Sequence, residues 1–229
     1  MATLVSLVVL LAWDVGGGDR WLAGLSGTAN GFDLRDAFWL TGVMHRGGKG
    51  LSWALMLGLL AALRWPVGPL RRLWPAERWQ LVLSALAAIA LVSLLKRAST
   101  TSCPWELREF GGVAAYVSHW AWGVRDGGSG HCFPAGHASA ALAYVGGWFA
   151  LRRRAPRAAA CWLAASLVAG LALGLGQQLR GAHFMSHTLW TAWLCWLSGW
   201  AADGLVHAPI LRGRARAVDK EVDTKLNTV

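Results

Sequence analysis

The sequence predicts an all-α, polytopic membrane protein built as a bundle of six transmembrane helices. Of its 229 residues, 55% are apolar, 16 are Trp and only 15% are charged. A soluble domain of this length does not normally carry so much apolar surface. The apolar segments also alternate with short Arg-rich segments, as spans and loops do. We therefore expect one transmembrane domain over residues 1–211, followed by a cytoplasmic tail, 212–229, that is polar and poorly ordered.

Each span is predicted from the length of an apolar run. The first run, 2–13, is short for a bilayer crossing. The Gly-rich stretch after it includes FDLRDAFWL, which we expect to lie along the membrane surface as an amphipathic segment. The later runs predict spans at 49–63, 79–95, 134–151, 158–178 and 184–206.

The basic residues predict the orientation of these spans. They occur in three clusters on the same side of the membrane: Arg64, Arg71, Arg72 and Arg78; Arg152, Arg153, Arg154 and Arg157; and Arg212, Arg214, Arg216 and Lys220. The positive-inside rule makes that side the cytoplasm, so the segments 14–48, 97–133 and 179–183 lie outside. Because topology accounts for the net charge of +10, and no soluble module is long enough to hold a basic groove, we expect no nucleic-acid partner.

Ionisable residues gather at the outer ends of the predicted spans. Lys96 closes the third span, His137 opens the fourth, and His183 and His187 open the sixth. Such residues are costly in a membrane and usually face a bundle interior or an aqueous cavity, so the clustering predicts a site. Two simpler interpretations stay open. Lys96 can reach the headgroups from a helix end, and His137 in FPAGHASAA can be an interfacial residue at a helix start.

The spacing of His183 and His187 permits another kind of site. Residues four apart lie on one face of a helix, so the two imidazoles could share a ligand such as zinc. A membrane di-iron oxygenase would need several His clusters, and neither HExxH nor HxxHH occurs in the sequence. We therefore expect no metal, with metal catalysis as an alternative.

Three segments together resemble the motifs of the type 2 phosphatidic acid phosphatase superfamily of membrane lipid phosphatases. KRASTTSCP, which starts at Lys96, is similar to Lys-x6-Arg-Pro. PAGH, which ends at His137, is similar to Pro-Ser-Gly-His, and GQQLRGAHFMSH, which ends at His187, is similar to Ser-Arg-x5-His-x3-Asp. Order and spacing match, and the six-helix layout extends the resemblance to most of the chain. The resemblance implies an outer-facing active-site loop on the bundle.

Four motif positions that normally hold phosphate or orient the nucleophile differ from the family pattern. Cys103 stands at the Arg of the first motif and Ala135 at the Ser of the second. Gln177 stands at the Arg of the third motif and His187 at its Asp. The Lys of the first motif and the His residues that match the family's acid–base group and nucleophile are retained.

The resemblance implies a role for each retained histidine. His183 matches the nucleophile, which attacks phosphorus and forms a phosphohistidine, and His137 matches the general acid and base. His187, in place of Asp, is expected to fix the tautomer of His183 through a hydrogen bond. The resemblance implies neither a metal nor a cofactor.

The phosphate group requires cations and hydrogen-bond donors around its oxygens. Because both motif Arg residues are absent, we expect Lys96, Arg97 and Arg180 to supply the positive charge, with Gln177 and Gly136 completing the phosphate-binding set. For Arg180, a contact with lipid headgroups is the alternative.

The four cysteines divide into two pairs. Cys161 and Cys195 lie in predicted spans and are expected to act as small apolar residues. Cys103 and Cys132 lie in one outer loop, where an oxidising periplasm would allow them to form a disulfide. The alternative is two free thiols, with Cys103 as a weak ligand beside the phosphate.

The resemblance implies a lipid phosphatase of a bacterial inner membrane that hydrolyses a lipid phosphate or pyrophosphate at the periplasmic face. Its expected partners are the lipid substrate and the surrounding membrane lipids, with no obligatory protein partner. Phosphatidylglycerol phosphate, undecaprenyl pyrophosphate, phosphatidic acid and lipid A phosphates are all consistent with it. A phosphotransferase of the same fold and a non-catalytic lipid-binding relative are the alternatives.

Overall fold

The computed structural model describes the backbone of residues 2–226 and the side chains of residues 3–208, and it is predominantly α-helical. The helices are α1 (Ala2–Val15), α2 (Gly18–Gly24), α3 (Gly48–Arg64), α4 (Pro75–Ala98), α5 (Ser139–Leu142), α6 (Gly147–Leu151), α7 (Pro156–Leu179) and α8 (Met185–Leu226). A π-helix, Trp39–Gly47, runs directly into α3. Short 3-10 segments occupy Gly68–Arg72, Pro104–Glu106, Arg108–Phe110 and Ala143–Gly146. The strands β1 (Gly27–Thr28) and β2 (Gly31–Phe32) form an antiparallel hairpin that pairs Gly27 with Phe32.

Proline marks the start of two long helices. Pro75 and Pro156 are the first residues of α4 and α7, where the fixed φ of proline suits the helix and its missing N–H costs no hydrogen bond. At α4, the Glu77 carboxylate also accepts the backbone N–H of Trp74 at 2.8 Å. This satisfies a donor that the helix itself leaves without a partner.

Three helical segments within the described residues are long and apolar enough to cross a membrane: Trp39–Arg72, Pro75–Ala98 and Pro156–Leu179. Two further apolar helices, Thr3–Val15 and Ser139–Leu151, are shorter. These segments support an α-helical membrane protein. They give three candidate spans, and the six-span arrangement stays a prediction.

The fourth predicted span, 134–151, is interrupted in the structure. Its helical part runs from Ser139 to Leu151 through α5, a 3-10 segment and α6, and thirteen residues give only about 20 Å of helix. Pro134 and Gly136 disfavour helix in the residues before Ser139. Those residues therefore form the turn that carries His137.

The segment 14–48 is more structured than the sequence predicts. It contains α2, the β1–β2 hairpin and the π-helix Trp39–Gly47. FDLRDAFWL does not form one surface helix, because Phe32 ends β2 and the regular helix begins only near its last residues. The π-helix extends the second predicted span backwards, so that helical structure is continuous from Trp39 to Arg64.

The C-terminal helix also runs further than predicted. The sequence predicts a poorly ordered tail from residue 212, whereas the backbone of α8 stays helical to Leu226. The sequence LRGRARAVDKEVDTKL is rich in Arg, Ala, Lys and Leu, which favour helix even where no apolar face exists. Residues 227–229 of the predicted tail lie outside the described residues.

The helices pack through small residues at the centre of the bundle. One buried cluster joins α4 to the turn before α5 and to α8, and it includes Ala88, Ala135 and Cys195. A Cβ atom built on Gly199 of α8 would lie 2.7 Å from the Cα of Gly146. Only glycine allows this close backbone approach, which is typical of helix packing in membranes.

Charged residues close one end of the bundle. The Asp203 carboxylate of α8 accepts hydrogen bonds from Arg152 (2.8 Å) and Arg153 (2.6 Å), and Glu77 near the start of α4 accepts one from Arg154 (2.7 Å). Lys96 lies nineteen residues further along α4, about 28 Å away at 1.5 Å per residue. The Arg cluster 152–154 and Lys96 therefore occupy opposite ends of the bundle.

Candidate active site

The loop after α4 brings the first two motifs together. Lys96 is in the last turn of α4, and the chain then makes an excursion before it returns alongside its own starting point. The backbone N–H of His131 donates to Ser99 O, and that of Cys132 donates to Thr101 O, both at 2.9 Å. Residues 134–137 consequently begin next to the end of α4.

A disulfide joins the two sides of this loop. Cys103 and Cys132 are bonded, with Cα atoms 5.2 Å apart and a sequence separation of 29 residues. Cys103 stands where the family motif has Arg. At this position the chain therefore carries a covalent link between the first and second motifs in place of a phosphate-binding cation.

Removing the disulfide is expected to destabilise the protein. Closing a loop of this length lowers the entropy of the unfolded chain and contributes about 3–4 kcal/mol in the entropic model. We expect the double variant Cys103→Ser/Cys132→Ser to unfold at a lower temperature in detergent, and the wild type to move to that midpoint when reductant is added. Cys161→Ser, which removes a free and exposed thiol, is the matched control. Equal midpoints for all three proteins would contradict the stabilising role.

The second motif is held against the start of α8. The backbone N–H of Ala135 donates to His187 O at 3.1 Å, and the Thr191 hydroxyl donates to Ala135 O at 3.2 Å. These contacts place the His137 and His183 rings with centroids 5.8 Å apart. Residues 46 positions apart in the chain thus become neighbours.

A cavity of about 330 Å³ lies at this end of the bundle. Its polar walls carry four basic or imidazole side chains, Lys96, His137, His45 and Lys49, together with serines, Tyr144 and Gln177. Its apolar walls are Met44, Trp53, Met56, Leu86, Ile89, Ala140 and Leu173. Within the described residues no carboxylate lines it, so the cavity has uncompensated positive charge beside an apolar surface.

His183 is a neighbour of His137 but does not reach the cavity. Its side chain is buried, with 2% of the residue exposed, and it does not form part of the cavity wall. Burial lowers the pKa of His183 well below its usual range, and the positive charge of Lys96 acts in the same direction. The ring is therefore neutral at physiological pH, the state in which imidazole is a nucleophile. The Cys132 Sγ lies 3.4 Å from its Nδ1 atom.

His187 does not make the hydrogen bond that the sequence predicts. The His183 and His187 rings are 5.8 Å apart and nearly perpendicular, and within the described part of the chain neither ring nitrogen of His187 has a hydrogen-bond partner. Its nearest rings are Phe133 (5.3 Å), Phe184 (5.5 Å) and His119 (5.6 Å). The Nε2 atom of His119 lies 3.2 Å from a carboxylate oxygen of Asp14. A carboxylate is thus present near the third motif, but it belongs to Asp14 of α1 and contacts the His119 ring.

The other predicted phosphate-binding residues divide into two groups. Gly136 and Gln177 line the cavity, and a Cβ atom on Gly136 would lie 3.3 Å from Lys96 Cδ. Arg180 is beside the cavity: its Nε donates to Arg35 O at 2.7 Å and its Nη1 to Gln177 Oε1 at 3.2 Å. Arg97 is exposed and does not line the cavity.

Sequence reasoning missed two residues that line the cavity. His45 is on the π-helix and Lys49 is in the first turn of α3. Their four-residue spacing at the start of an apolar helical run is the signal that could have identified them, because such residues fall on one helix face. What the sequence alone could not provide is the packing that turns this face toward His137.

Two groups of described side chains have donor atoms within 4.8 Å of one another, as a metal site requires: Cys132, His183 and His187, and separately Asp14, Asp19 and His119. In the first group the sulfur is in a disulfide, which leaves two imidazoles. In the second, Asp19 already accepts a backbone hydrogen bond from Ser186 at 2.9 Å and another from the Ser186 hydroxyl. It therefore holds the start of α8.

Comparison with protein families gives one match, to a model described as the PAP2 superfamily, over residues 77–208. This is more than half of the chain, and it contains Lys96, His137 and His183. Comparisons with the curated proteins and with the solved structures gave no significant match.

Proposed function

The chain belongs to the PAP2 superfamily, whose members are phosphatases, and from this premise we propose that it hydrolyses a lipid phosphate or pyrophosphate through a phosphohistidine at His183, without a metal. The observation that supports this most directly is the shared site: Lys96 and His137 line one cavity, and the ring of His183 is 5.8 Å from that of His137.

The first step of the proposed reaction is attack by His183 on phosphorus. A lone pair of the neutral ring forms a bond to phosphorus while the bond from phosphorus to the leaving oxygen breaks. His137, in its protonated form, gives its proton to that oxygen, which is general acid catalysis. The Lys96 ammonium stabilises negative charge on the phosphoryl oxygens, which is the largest requirement of phosphoryl transfer.

The second step releases phosphate and restores the enzyme. His137, now neutral, accepts a proton from water, and the water oxygen bonds to phosphorus as the bond to His183 breaks. Two easier displacements replace one difficult hydrolysis. Because His183 does not line the cavity, the proposal requires the phosphate to reach past the His137 ring to the His183 ring 5.8 Å away.

The wall composition supports a lipid substrate. The polar groups of the cavity lie beside Trp53, Met56, Leu86, Ile89 and Leu173. An amphiphile would place its phosphate among the cations and the start of its chain along these residues, which removes apolar surface from water on both sides. A small soluble phosphate would leave this apolar wall without a contact.

The membrane arrangement is part of the proposal. Three apolar helices support the membrane location, and we propose that α1, α5 with α6, and the first part of α8 complete six crossings. The Arg cluster 152–154 lies at the end opposite Lys96. By the positive-inside rule the cavity then faces away from the cytoplasm, toward the periplasm of a bacterial inner membrane.

Assaying purified protein in detergent against a panel of phosphates tests the function. We expect phosphate release from long-chain lipid phosphates, little release from the corresponding water-soluble short-chain esters, and no change when a chelator is added. Loss of activity in chelator would overturn the metal-independent mechanism. Phosphate transfer to an added acceptor lipid would replace hydrolysis by a phosphotransferase, and no reaction with any substrate would favour a lipid-binding protein.

A further inference from the structure

We propose that His45 and Lys49 form a second anion subsite beside the phosphate site, and that the substrate class is therefore a lipid diphosphate rather than a monophosphate. The inference rests on the proposed function, because it assigns a substrate class to the same cavity. His45 and Lys49 are outside residues 77–208, the part of the chain that matches the family model.

The π-helix places His45 directly beside His137. The centroids of the two rings are 4.0 Å apart. Both rings bury an Nδ1 atom that has no hydrogen-bond partner among the described residues. Buried polar atoms normally have a partner, so this pair of unpaired nitrogens at the cavity wall indicates a site for a polar ligand.

Glycines of α7 and α3 allow this close approach. A Cβ atom on Gly176 would lie 3.0 Å from Met44 Cε and 3.2 Å from Leu40 Cδ2, and one on Gly48 would lie 3.1 Å from Leu173 Cδ2. Gly176 stands where the family motif has Ser. The π-helix therefore packs closely on α7 at Gly176, where the family motif has a larger residue. This close packing places His45 at the cavity.

The charge of the cavity exceeds what one phosphate group needs. Lys96 and Lys49 both line it, together with His45 and His137, and no carboxylate among the described residues compensates them there. Lys96 is partly buried, where a cation without a counter-ion is costly, whereas Lys49 is exposed and free to reach a ligand in the cavity. A diphosphate, which carries more negative charge than a monophosphate, would balance this set better.

The short distance between the imidazoles favours a diphosphate over two separate anionic groups. With ring centroids 4.0 Å apart, the groups that bind to His137 and His45 must be adjacent, as two phosphoryl groups that share a bridging oxygen are. The terminal phosphoryl group would then bind to Lys96 and His137, and the inner one to His45 and Lys49.

His183 and His137 have the same roles with a lipid diphosphate as in the reaction described above. The His183 ring bonds to the terminal phosphorus, and the bond from that phosphorus to the bridging oxygen breaks. The bridging oxygen takes the His137 proton and leaves with the lipid monophosphate. Water then releases inorganic phosphate from His183 and returns one proton to His137.

The test compares a diphosphate and a monophosphate on the same lipid chain. For wild type we expect kcat/KM at least about tenfold higher on the diphosphate, as one charge-assisted hydrogen bond provides. Lys49→Gln and His45→Phe are expected to lower kcat/KM on the diphosphate about tenfold, and to change it less than about threefold on the monophosphate. Phe keeps an aromatic ring beside His137 and removes both ring nitrogens.

Arg46→Gln is the matched control. It removes one positive charge, as Lys49→Gln does, from the π-helix that carries His45. Arg46 does not line the cavity, so both substrates should react as with wild type. Inhibition provides a second measurement: inorganic pyrophosphate should inhibit wild type more strongly than inorganic phosphate, and Lys49→Gln should remove the difference. Equal losses on both substrates, or the same loss in Arg46→Gln, would overturn the second subsite.

The activities of wild type and His183→Ala distinguish a missing second subsite from a missing phosphatase activity. If the wild type hydrolyses lipid monophosphates as well as diphosphates, and His183→Ala hydrolyses neither, the phosphatase function stands and the second subsite is refuted. Unchanged activity in His183→Ala would refute the function itself, whatever the substrate preference.

Discussion

His183→Ala is expected to abolish phosphate release from every substrate. The imidazole is the only group that we assign to bond with phosphorus, and without it neither the first nor the second displacement can occur. The variant should still bind substrate, since Lys96 and the apolar cavity wall are unchanged. The measurements are phosphate release and, with substrate labelled on phosphorus, capture of a phosphorylated protein that is stable in base and labile in acid.

His131→Asn is the control for this experiment. It removes an imidazole from the loop between α4 and α5, but His131 is exposed and lies outside the cavity wall. Asn tolerates the left-handed conformation of this residue, whose φ is 57°. We expect wild-type activity and wild-type labelling. Label that persists in His183→Ala would identify another residue as the nucleophile, and the adjacent His137 would be the first to examine.

His137→Ala is expected to have the second largest effect, and its size should depend on the leaving group. Loss of a general acid and base costs roughly 10²- to 10⁴-fold. An alkyl phosphate needs protonation of the oxygen that departs, whereas an activated aryl phosphate does not. We therefore expect the full loss with the lipid substrate and a much smaller loss in the first step with the aryl substrate.

Rapid-mixing experiments can separate the two steps. With the aryl phosphate, His137→Ala should form the phosphorylated enzyme quickly and hydrolyse it slowly, because the base that activates water is missing. The intermediate should therefore accumulate beyond its level in wild type. An equal reduction of both steps, with both leaving groups, would mean that His137 acts by binding phosphate and not by transferring protons.

The retained motif residues could be recognised in the sequence because they occur at the ends of predicted helices. Lys96 at a helix end, and His137 and His183 at helix starts, fall at the same membrane boundary once the apolar runs are placed. Two short apolar runs limited this placement. A run of twelve residues, or a helix interrupted by Pro134 and Gly136, provides too little periodicity to establish a crossing.

His187 shows why position in a motif does not determine a contact. Its place four residues after His183 predicts two imidazoles on one helix face, but His183 precedes the first residue of α8 and is not in its regular helix. The rings therefore meet at an angle without a hydrogen bond. The contact that His187 makes with His119 depends on a loop residue 68 positions away, which no local pattern could indicate.

By itself the sequence determined that this protein is helical and apolar enough for a membrane, which superfamily it belongs to, and which Lys and two His residues carry the motifs. These properties depend on composition and on spacing along one chain, which local backbone geometry fixes. Only the tertiary structure decided which other side chains reach the same cavity. The approach of His45 to His137 and the position of Asp14 beside His119 arise from helix packing between distant segments, where missing Cβ atoms and buried contacts set the distances.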